Sequence, residues 1–337
     1  MNKVAIFGSG AWGTALAIHA TRRGHAVNIW SFEQEIADEI SSDHRNTAYL
    51  PGVQLPAVIQ ASVDVEKVSA DADIVILAPP SRYFRSVANL LRKNLAKHAI
   101  VAIASKGIEV TSHQFLFQIL EEALPEVSSE RYVCLSGPTF AREVAKGLPT
   151  DIVAASKGAE AAQRAQGILH APTFRVYRSE DPMGVGIGGA IKNVIAIATG
   201  ACDGLGLGNN ARAALITRGL AEMVRLGVAL GANALTFLGL AGMGDLVLTC
   251  TGALSRNRTL GMKVAEGIDA KQFLASQKTV AEGFFSAHAA YKLSQKYGVE
   301  MPITEQVYQV LYQGRPLKAA MHRLMERSFK EELAGIE

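Results

Sequence analysis

The sequence predicts a two-part α/β protein: an N-terminal parallel, doubly wound sheet over residues 1–182, then an all-helical domain over 183–337. Three observations carry this. Short apolar strands alternate with helical stretches through the first half, a pattern that a parallel sheet with helical crossovers accommodates. A glycine-rich turn, Gly8-Ser-Gly-Ala-Trp-Gly13, stands between the first strand and the first helix. After about Met183 the texture changes to long Ala/Leu/Gly-rich helical segments with no good strand, which places the boundary near Asp181-Pro182. A chain of 337 residues also exceeds one ordinary core.

The elements follow in order. Val4-Ala-Ile-Phe7 is the first strand; Ala11 to Arg23 reads as a helix stopped by Gly24, a natural C-terminal cap. Ala26 to Trp30, Asp73 to Ala78, Ile100 to Ala104 and Tyr132 to Leu135 are the next clear strands. Pro79-Pro80 closes the strand that begins at Asp73. Tyr83 to Leu95 and Gln114 to Ala123 are helical stretches between strands. Ile152 to Ala155 and Phe174 to Tyr177 extend the sheet. Leu226 to Gly244 lacks charge over about the length of a membrane span. Glycines at 227, 231, 239 and 242 and Asn233 break it, so it reads as a helix, a turn and a second helix buried in protein.

Composition narrows the class. Hydrophobic residues at 49% and charged residues at 19% describe a globular chain rather than a disordered one. A net charge of +3, with no basic block, gives no argument for nucleic acid. Cys134, Cys202 and Cys250 lie far apart without metal-ligand spacing and read as core residues in a reducing compartment. The N-terminus enters a strand at Val4 with no signal-peptide pattern, so a cytoplasmic protein with no integral membrane segment is expected.

The loop Gly8–Gly13 has the context that a dinucleotide fingerprint requires. Gly8 permits the tight turn, Gly10 lets the backbone approach a pyrophosphate, and Gly13 lets the helix pack on the sheet. The helix N-terminus then offers free N–H groups to phosphates. The alternative is a glycine turn with no ligand. The acid expected about 20 residues on, for a ribose hydroxyl, is met only by Glu33, slightly late in Trp30-Ser31-Phe32-Glu33. NAD and NADP both stay open.

Lys192 and Asn193 lie in one of the most apolar stretches of the chain, Gly186 to Thr199. The helical neighbours of Lys192 are Gly188, Gly189, Ile195 and Ala196, none from a solvated face. A buried ammonium is costly unless paired or used, and burial tunes lysine for proton transfer. The bland alternative is a lysine that snorkels to water. Ser105-Lys106-Gly107 follows a strand at its carboxyl end, where open α/β sheets bind ligands. Gly137 and Thr139 follow the next strand in Ser136-Gly-Pro-Thr-Phe-Ala141, as ligand contacts or as ordinary turn residues. Asp245 ends the glycine turn Gly242-Met-Gly-Asp245, placed to orient Lys192 or to cap a helix; Thr249 is one helical turn later. Ser255-Arg256-Asn257 is a polar cluster at a helix start, suited to a phosphate or simply a capped end.

Together these motifs make the chain resemble the bacterial-type NAD(P)-dependent glycerol-3-phosphate dehydrogenases, from Val4 to about Arg327. The markers are 8–13, Asn46-Thr-Ala-Tyr-Leu-Pro-Gly52, Ser105-Lys-Gly-Ile-Glu109, Ser136–Ala141, Ala190–Val194, Gly242–Leu246, Ser255-Arg-Asn-Arg258 and Val280-Ala-Glu-Gly283. The resemblance implies a Rossmann-type NAD(P)-binding domain and a helical domain like the C-terminal part of 6-phosphogluconate dehydrogenase. It implies a homodimer that uses NADH or NADPH, without a metal, to reduce dihydroxyacetone phosphate to sn-glycerol 3-phosphate for phospholipid synthesis. By position it makes Lys192 the proton donor and acceptor. It places Lys106, Gly137, Thr139, Asp245, Ser255, Arg256 and Asn257 at the substrate. Ala11, Trp12, Phe32, Lys106, Ala141, Arg256, Val280 and Glu282 fall at the cofactor. Two positions depart from the family: Ala11 stands where serine is common, and Phe32 where arginine or histidine is common.

The expected chemistry is hydride addition to a carbonyl carbon with Lys192 protonating the oxygen. Lys106 steadies the charge or the substrate, and Asp245, Asn193 and Thr249 hold the lysine. Arg256 and Asn257 take the phosphate. The rival readings are another lysine-dependent dehydrogenase, of 3-hydroxyacid or 6-phosphogluconate type, and a nicotinamide-binding regulatory module without turnover.

Overall fold

A computed structural model describes residues 1–277, 279–328 and 331–332. The chain forms two compact units, one from residues 1–105 and 116–182, the other from 106–115 and 183–337. The ten residues after Ser105 thus leave the first unit and return to it, a detour that no composition change marks.

In the first unit eight strands form one sheet in the order β3-β2-β1-β4-β5-β6-β7-β8. They are β1 (Lys3–Phe7), β2 (Ala26–Trp30), β3 (Gln60–Ser62), β4 (Ile74–Leu77), β5 (Ile100–Ile103), β6 (Tyr132–Ser136), β7 (Thr150–Ala155) and β8 (Phe174–Ser179). Helices α1 (Ala11–Arg22), α2 (Gln34–Asp38), α3 (Val65–Ser69), α4 (Phe84–Leu90), α5 (Leu116–Ala123), α6 (Ala141–Lys146) and α7 (Ala159–Leu169) fill the connections. Every residue of β4, β5 and β6 is buried. That is why these strands read as continuous apolar runs rather than alternating ones.

The sheet is parallel from β3 to β6, β7 runs antiparallel to β6, and β8 is parallel to β7. Left-handed glycines, Gly137 (φ 156°) and Gly147 (φ 77°), turn the chain back around α6. The apolar run Ile152–Ala155 carries no sign of strand direction. β3 also escapes a reading by pattern, because three residues, Gln60-Ala-Ser62, make no apolar run.

The second unit is helical among its described residues: α8 (Pro182–Gly204), α9 (Gly208–Ala229), α10 (Asp245–Thr251), α11 (Arg256–Ala265), α12 (Ala270–Ala275), α13 (Glu282–Tyr297), α14 (Pro302–Gln313) and α15 (Leu317–Met325). Helix α8 is long and apolar enough to cross a membrane, yet 89% of its apolar window is buried within the protein. The stretch 226–244 differs from the expected helical hairpin. Helix α9 ends before Gly231 (φ 85°), and the chain then makes a 3₁₀ turn at Ala234–Leu238 and a π turn at Leu240–Gly244. Both turns wrap the fully buried Phe237. A Cβ at Gly227, within α9, would lie 2.2 Å from the Phe237 ring and one at Gly242 2.2 Å from the Phe237 carbonyl oxygen, so both glycines serve close packing on Phe237.

Glu222 on α9 is a buried acid with a structural use. Its carboxylate accepts the backbone N–H groups of Ile303 (2.5 Å) and Thr304 (3.0 Å) and the Thr304 hydroxyl (2.8 Å). Helix α14 has Pro302 in its first turn and no side-chain cap of its own, so Glu222 supplies the missing acceptors. Burial pushes the Glu222 carboxyl up to about 7.

Candidate active site

In the first unit the loop after β1 is built by close contact. Gly8 adopts φ 122°, and a Cβ there would lie 2.8 Å from the Ala78 carbonyl carbon. A Cβ at Gly13 would lie 1.9 Å from the Gly8 carbonyl oxygen. Gly10 is different: a Cβ there meets nothing within 4 Å. Its lack of a side chain leaves open space over the N-terminus of α1, where no side chain caps the helix. That opening, over uncapped N–H groups, fits a pyrophosphate.

The loop is braced from below. The buried Asn46 donates to the Ser9 carbonyl (2.7 Å) and to the Thr14 hydroxyl (2.8 Å), while Thr14 donates to the Ser9 carbonyl (3.1 Å). Ser9 and Ser31 join their hydroxyls at 2.8 Å. Trp12 buries its indole N–H without a partner among the described residues. Phe32, 85% exposed, projects at the end of β2. The next residue, Glu33, accepts the Tyr49 hydroxyl at 2.8 Å. After β6, a Cβ at Gly137 would lie 2.9 Å from the Asp151 carbonyl oxygen, which is a packing reason for this glycine. Thr139 donates its hydroxyl to the Gly137 carbonyl (3.1 Å), and Ala141 opens α6.

The second unit holds the lysines. Helix α8 packs backbone to backbone on its neighbours: a Cβ at Gly188 would lie 2.5 Å from the Ala241 carbonyl oxygen, and one at Gly200 2.0 Å from that of Arg258. The first approach brings the start of α10 to the middle of α8. There Asp245, 1% exposed, accepts from Lys192 Nζ through Oδ1 and from Lys106 Nζ through Oδ2, the latter at 2.7 Å. Lys192 Nζ also donates to the Thr249 hydroxyl (2.9 Å), which in turn donates to the Asp245 carbonyl (2.6 Å). One buried carboxylate therefore serves two ammonium groups. Burial lowers the Lys192 amine to about 7; Asp245 acts against that shift and Lys106 adds to it. Asp245 is the first residue of α10 and its carboxylate is committed to lysines rather than to a cap.

A second network runs beside it. Asn193 donates to the Gly189 carbonyl (3.1 Å), Asn257 donates to Asn193 Oδ1 (2.8 Å), and the Gly283 N–H donates to Asn257 Oδ1 (2.9 Å). These bonds tie α8, α11 and the start of α13 together. Ser255 caps α11, accepting from the Arg258 N–H at 3.2 Å. Arg256 is exposed at the first position of that helix. Val280 and Glu282 flank Ala281, the residue before α13. Sequence reasoning missed two supports: Asn46, visible only as part of the 46–52 motif, and Asp203, which holds Arg258 (2.7 Å) and Arg212 (3.1 Å). An acid at the end of an apolar helix gives no sign of its partners.

A separate cavity of about 550 Å³ in this unit is lined by Leu215, Val307, Val310, Leu311 and Leu324, and not by Lys106, Lys192 or Asp245. Among the described residues no three His, Cys, Asp or Glu side chains gather as a metal site requires.

The chain is similar to known dehydrogenases over nearly all of its length. The family model for the N-terminus of NAD-dependent glycerol-3-phosphate dehydrogenase matches residues 3–162, and that for its C-terminus matches residues 181–322. The glycerol-3-phosphate dehydrogenase [NAD(P)+] of Geobacter metallireducens is 49% identical over 330 residues, covering 98% of each chain. That of Geobacter sulfurreducens is 46% identical, also over 98% of each. The crystal structure of glycerol-3-phosphate dehydrogenase from Coxiella burnetii superposes with a TM-score of 0.92 at 38% identity, over 97% of this chain and 99% of that one. This chain belongs to the NAD-dependent glycerol-3-phosphate dehydrogenase family.

Proposed function

We propose that the chain is an NAD(P)-dependent glycerol-3-phosphate dehydrogenase that reversibly reduces dihydroxyacetone phosphate to sn-glycerol 3-phosphate for glycerophospholipid synthesis. The observation that carries the assignment of roles is the buried Lys192–Asp245–Lys106 cluster. When bound, the nicotinamide supplies the hydride to the C2 carbonyl carbon, or takes it back from the alcohol. Lys192 protonates the carbonyl oxygen in reduction and removes that proton in oxidation. An amine near 7 suits both directions. Lys106 steadies the developing negative charge. Asp245 and Thr249 hold the Lys192 ammonium in place.

The residues proposed to hold the cofactor are Gly8, Gly10, Ala11, Trp12, Gly13, Phe32 and Ala141 of the first unit. Lys106, Arg256, Val280 and Glu282 of the second unit are proposed as cofactor contacts in their own right. Gly137, Thr139, Asn193, Thr249, Ser255, Arg256 and Asn257 are proposed around the substrate. Arg256, exposed at a helix start, is the phosphate partner. Asn257 and Asn193, whose amides bond to each other, shape the site as much as they touch the ligand. A cytoplasmic homodimer belongs to the same proposal. Three buried free thiols suit a reducing compartment, and sedimentation at micromolar concentration tests the dimer.

Loss of reduced-nicotinamide absorbance on adding dihydroxyacetone phosphate, with NADH and NADPH in parallel, tests the function. No loss with either cofactor in folded protein overturns it. Arg256→Ala is expected to raise KM for dihydroxyacetone phosphate by about 10–100-fold, the worth of a charge-assisted hydrogen bond of roughly 1.5–3 kcal/mol. An unchanged KM removes Arg256 from the phosphate.

The pH dependence has a definite sign. Reduction needs protonated Lys192, so the Lys192 contribution to kcat/KM in that direction is level below about pH 7 and falls about tenfold per unit above it. Oxidation needs the neutral amine, so its kcat/KM rises toward about pH 7 and then levels. Parallel profiles in the two directions refute Lys192 as the titrating group.

A further inference from the structure

The loop that carries Lys106 closes on itself as a small hairpin. Ile108 bridges Phe115, Glu109 N–H donates to the Gln114 carbonyl (3.0 Å), and His113 N–H donates to the Glu109 carbonyl (2.9 Å). Ile108 and Phe115 are buried; His113, at the turn, takes φ 57°, rare for a residue with a side chain. Its ring lies against that of His288 in α13, with centroids 5.8 Å apart and the planes tilted by 40°. His288 lies against Tyr308 (5.8 Å) and Tyr312 (5.4 Å) of α14, and its Nδ1 is buried without a hydrogen-bond partner among the described residues.

The charges facing this pair are cationic from the helix side. Lys292 and Lys296 of α13 act on His113, and Lys292 and His113 act on His288; the neighbours on α14 are the phenols Tyr308 and Tyr312. On the hairpin itself the nearby acid, Glu109, is engaged by the Ser112 hydroxyl at 2.5 Å. Burial first, and these cations next, hold both imidazoles below the usual histidine range. A proton on the buried Nδ1 of His288 would have no acceptor among the described residues.

We propose that His113 is a positioning residue for Lys106: its ring, seated on His288, holds the 106–115 hairpin on α13, and protonating the pair releases the hairpin. The inference rests on the role given above to Lys106 at the substrate. The working pair is neutral. In acid, two adjoining imidazolium rings beside Lys292 and Lys296 repel.

The test compares wild type with His288→Phe, which keeps a ring and removes one titration, and His113→Asn, which tolerates the left-handed backbone. At about pH 8 His288→Phe is expected to hold KM within about twofold of wild type, whereas His113→Asn, which removes the ring that seats the hairpin, is expected to raise it about fivefold. Between about pH 8 and pH 5.5 the ratio of wild-type KM to variant KM is expected to climb about fivefold, since phosphate ionisation and Lys192 are common to all three. Backbone amide exchange over 106–115, corrected for its intrinsic pH dependence, is expected to lose about tenfold protection in wild type and not in His288→Phe. Parallel KM profiles with unchanged exchange overturn the proposal. Exchange that responds to acid in a protein inert toward dihydroxyacetone phosphate keeps the hairpin clamp and sinks the reading of Lys106 instead.

Discussion

Lys192→Ala is expected to lower kcat for reduction of dihydroxyacetone phosphate by about 10²–10⁴, with the dissociation constant of NADH unchanged. The expectation follows from how Lys192 is held. Its side chain is 7% exposed and its ammonium is gripped by Asp245 and Thr249, so no neighbouring water-borne acid replaces it without reorganisation. Lys106 does not substitute either, since its Nζ is bound to the other oxygen of the same carboxylate. Asp245 keeps that partner in the variant, so the site loses its proton donor without stranding a buried anion. The cofactor loop over Gly8–Gly13 belongs to the other unit and is braced there by Asn46, Thr14 and Ser31. A small primary amine added to the variant is expected to restore part of the rate in a saturable manner. Near-normal turnover in Lys192→Ala, or lost NADH binding, removes Lys192 from the role of acid.

The parts of this molecule legible in the sequence are those where one residue type has one physical use. Gly8 and Gly13 are glycines because backbone atoms of Ala78 and Gly8 occupy the place of their side chains, and a fingerprint records that need directly. Lys192 was legible because a charge in an apolar helix demands a reason. Strands β4, β5 and β6 were legible because burial on both faces writes unbroken apolar runs.

The unread parts depend on partners distant in sequence. Asn46 braces the loop from 37 residues away, and Asp203 meets Arg258 from 55 residues away. No local pattern encodes either bond. The passage of residues 106–115 into the second unit, and the reversal at β7, are tertiary outcomes that apolar periodicity does not carry. Ser255 shows how ambiguous a short polar cluster is: its hydroxyl caps α11, a use that the same three residues would show with or without a ligand.

Asp245→Asn tests the shared carboxylate, and its expected effects separate stability from chemistry. Replacing the 1%-exposed acid leaves two lysines, with side chains 7% and 15% exposed, without their common anion. Removing one member of a buried pair typically costs about 3–5 kcal/mol. The variant is therefore expected to unfold at clearly lower denaturant concentration, with an unchanged slope. The chemistry follows from the sign of the remaining influences. Burial and Lys106 both push the Lys192 amine down, and Asp245 alone among its charged neighbours pushes it up. Without that anion Lys192 is neutral at pH 7 and cannot donate, so reduction is expected to fall by about 10–100-fold. Acid then repairs what the substitution removed: in Asp245→Asn, kcat for reduction is expected to climb as pH falls from about 7.5 to 5.5, a range in which wild-type Lys192 is already protonated below about pH 7. Oxidation, which uses the neutral amine, is expected to suffer less than reduction at pH 7. A variant that loses both directions equally, with no recovery in acid, places Asp245 as a structural support only. One that retains full stability and wild-type pH profiles shows that the two lysines do not depend on its charge.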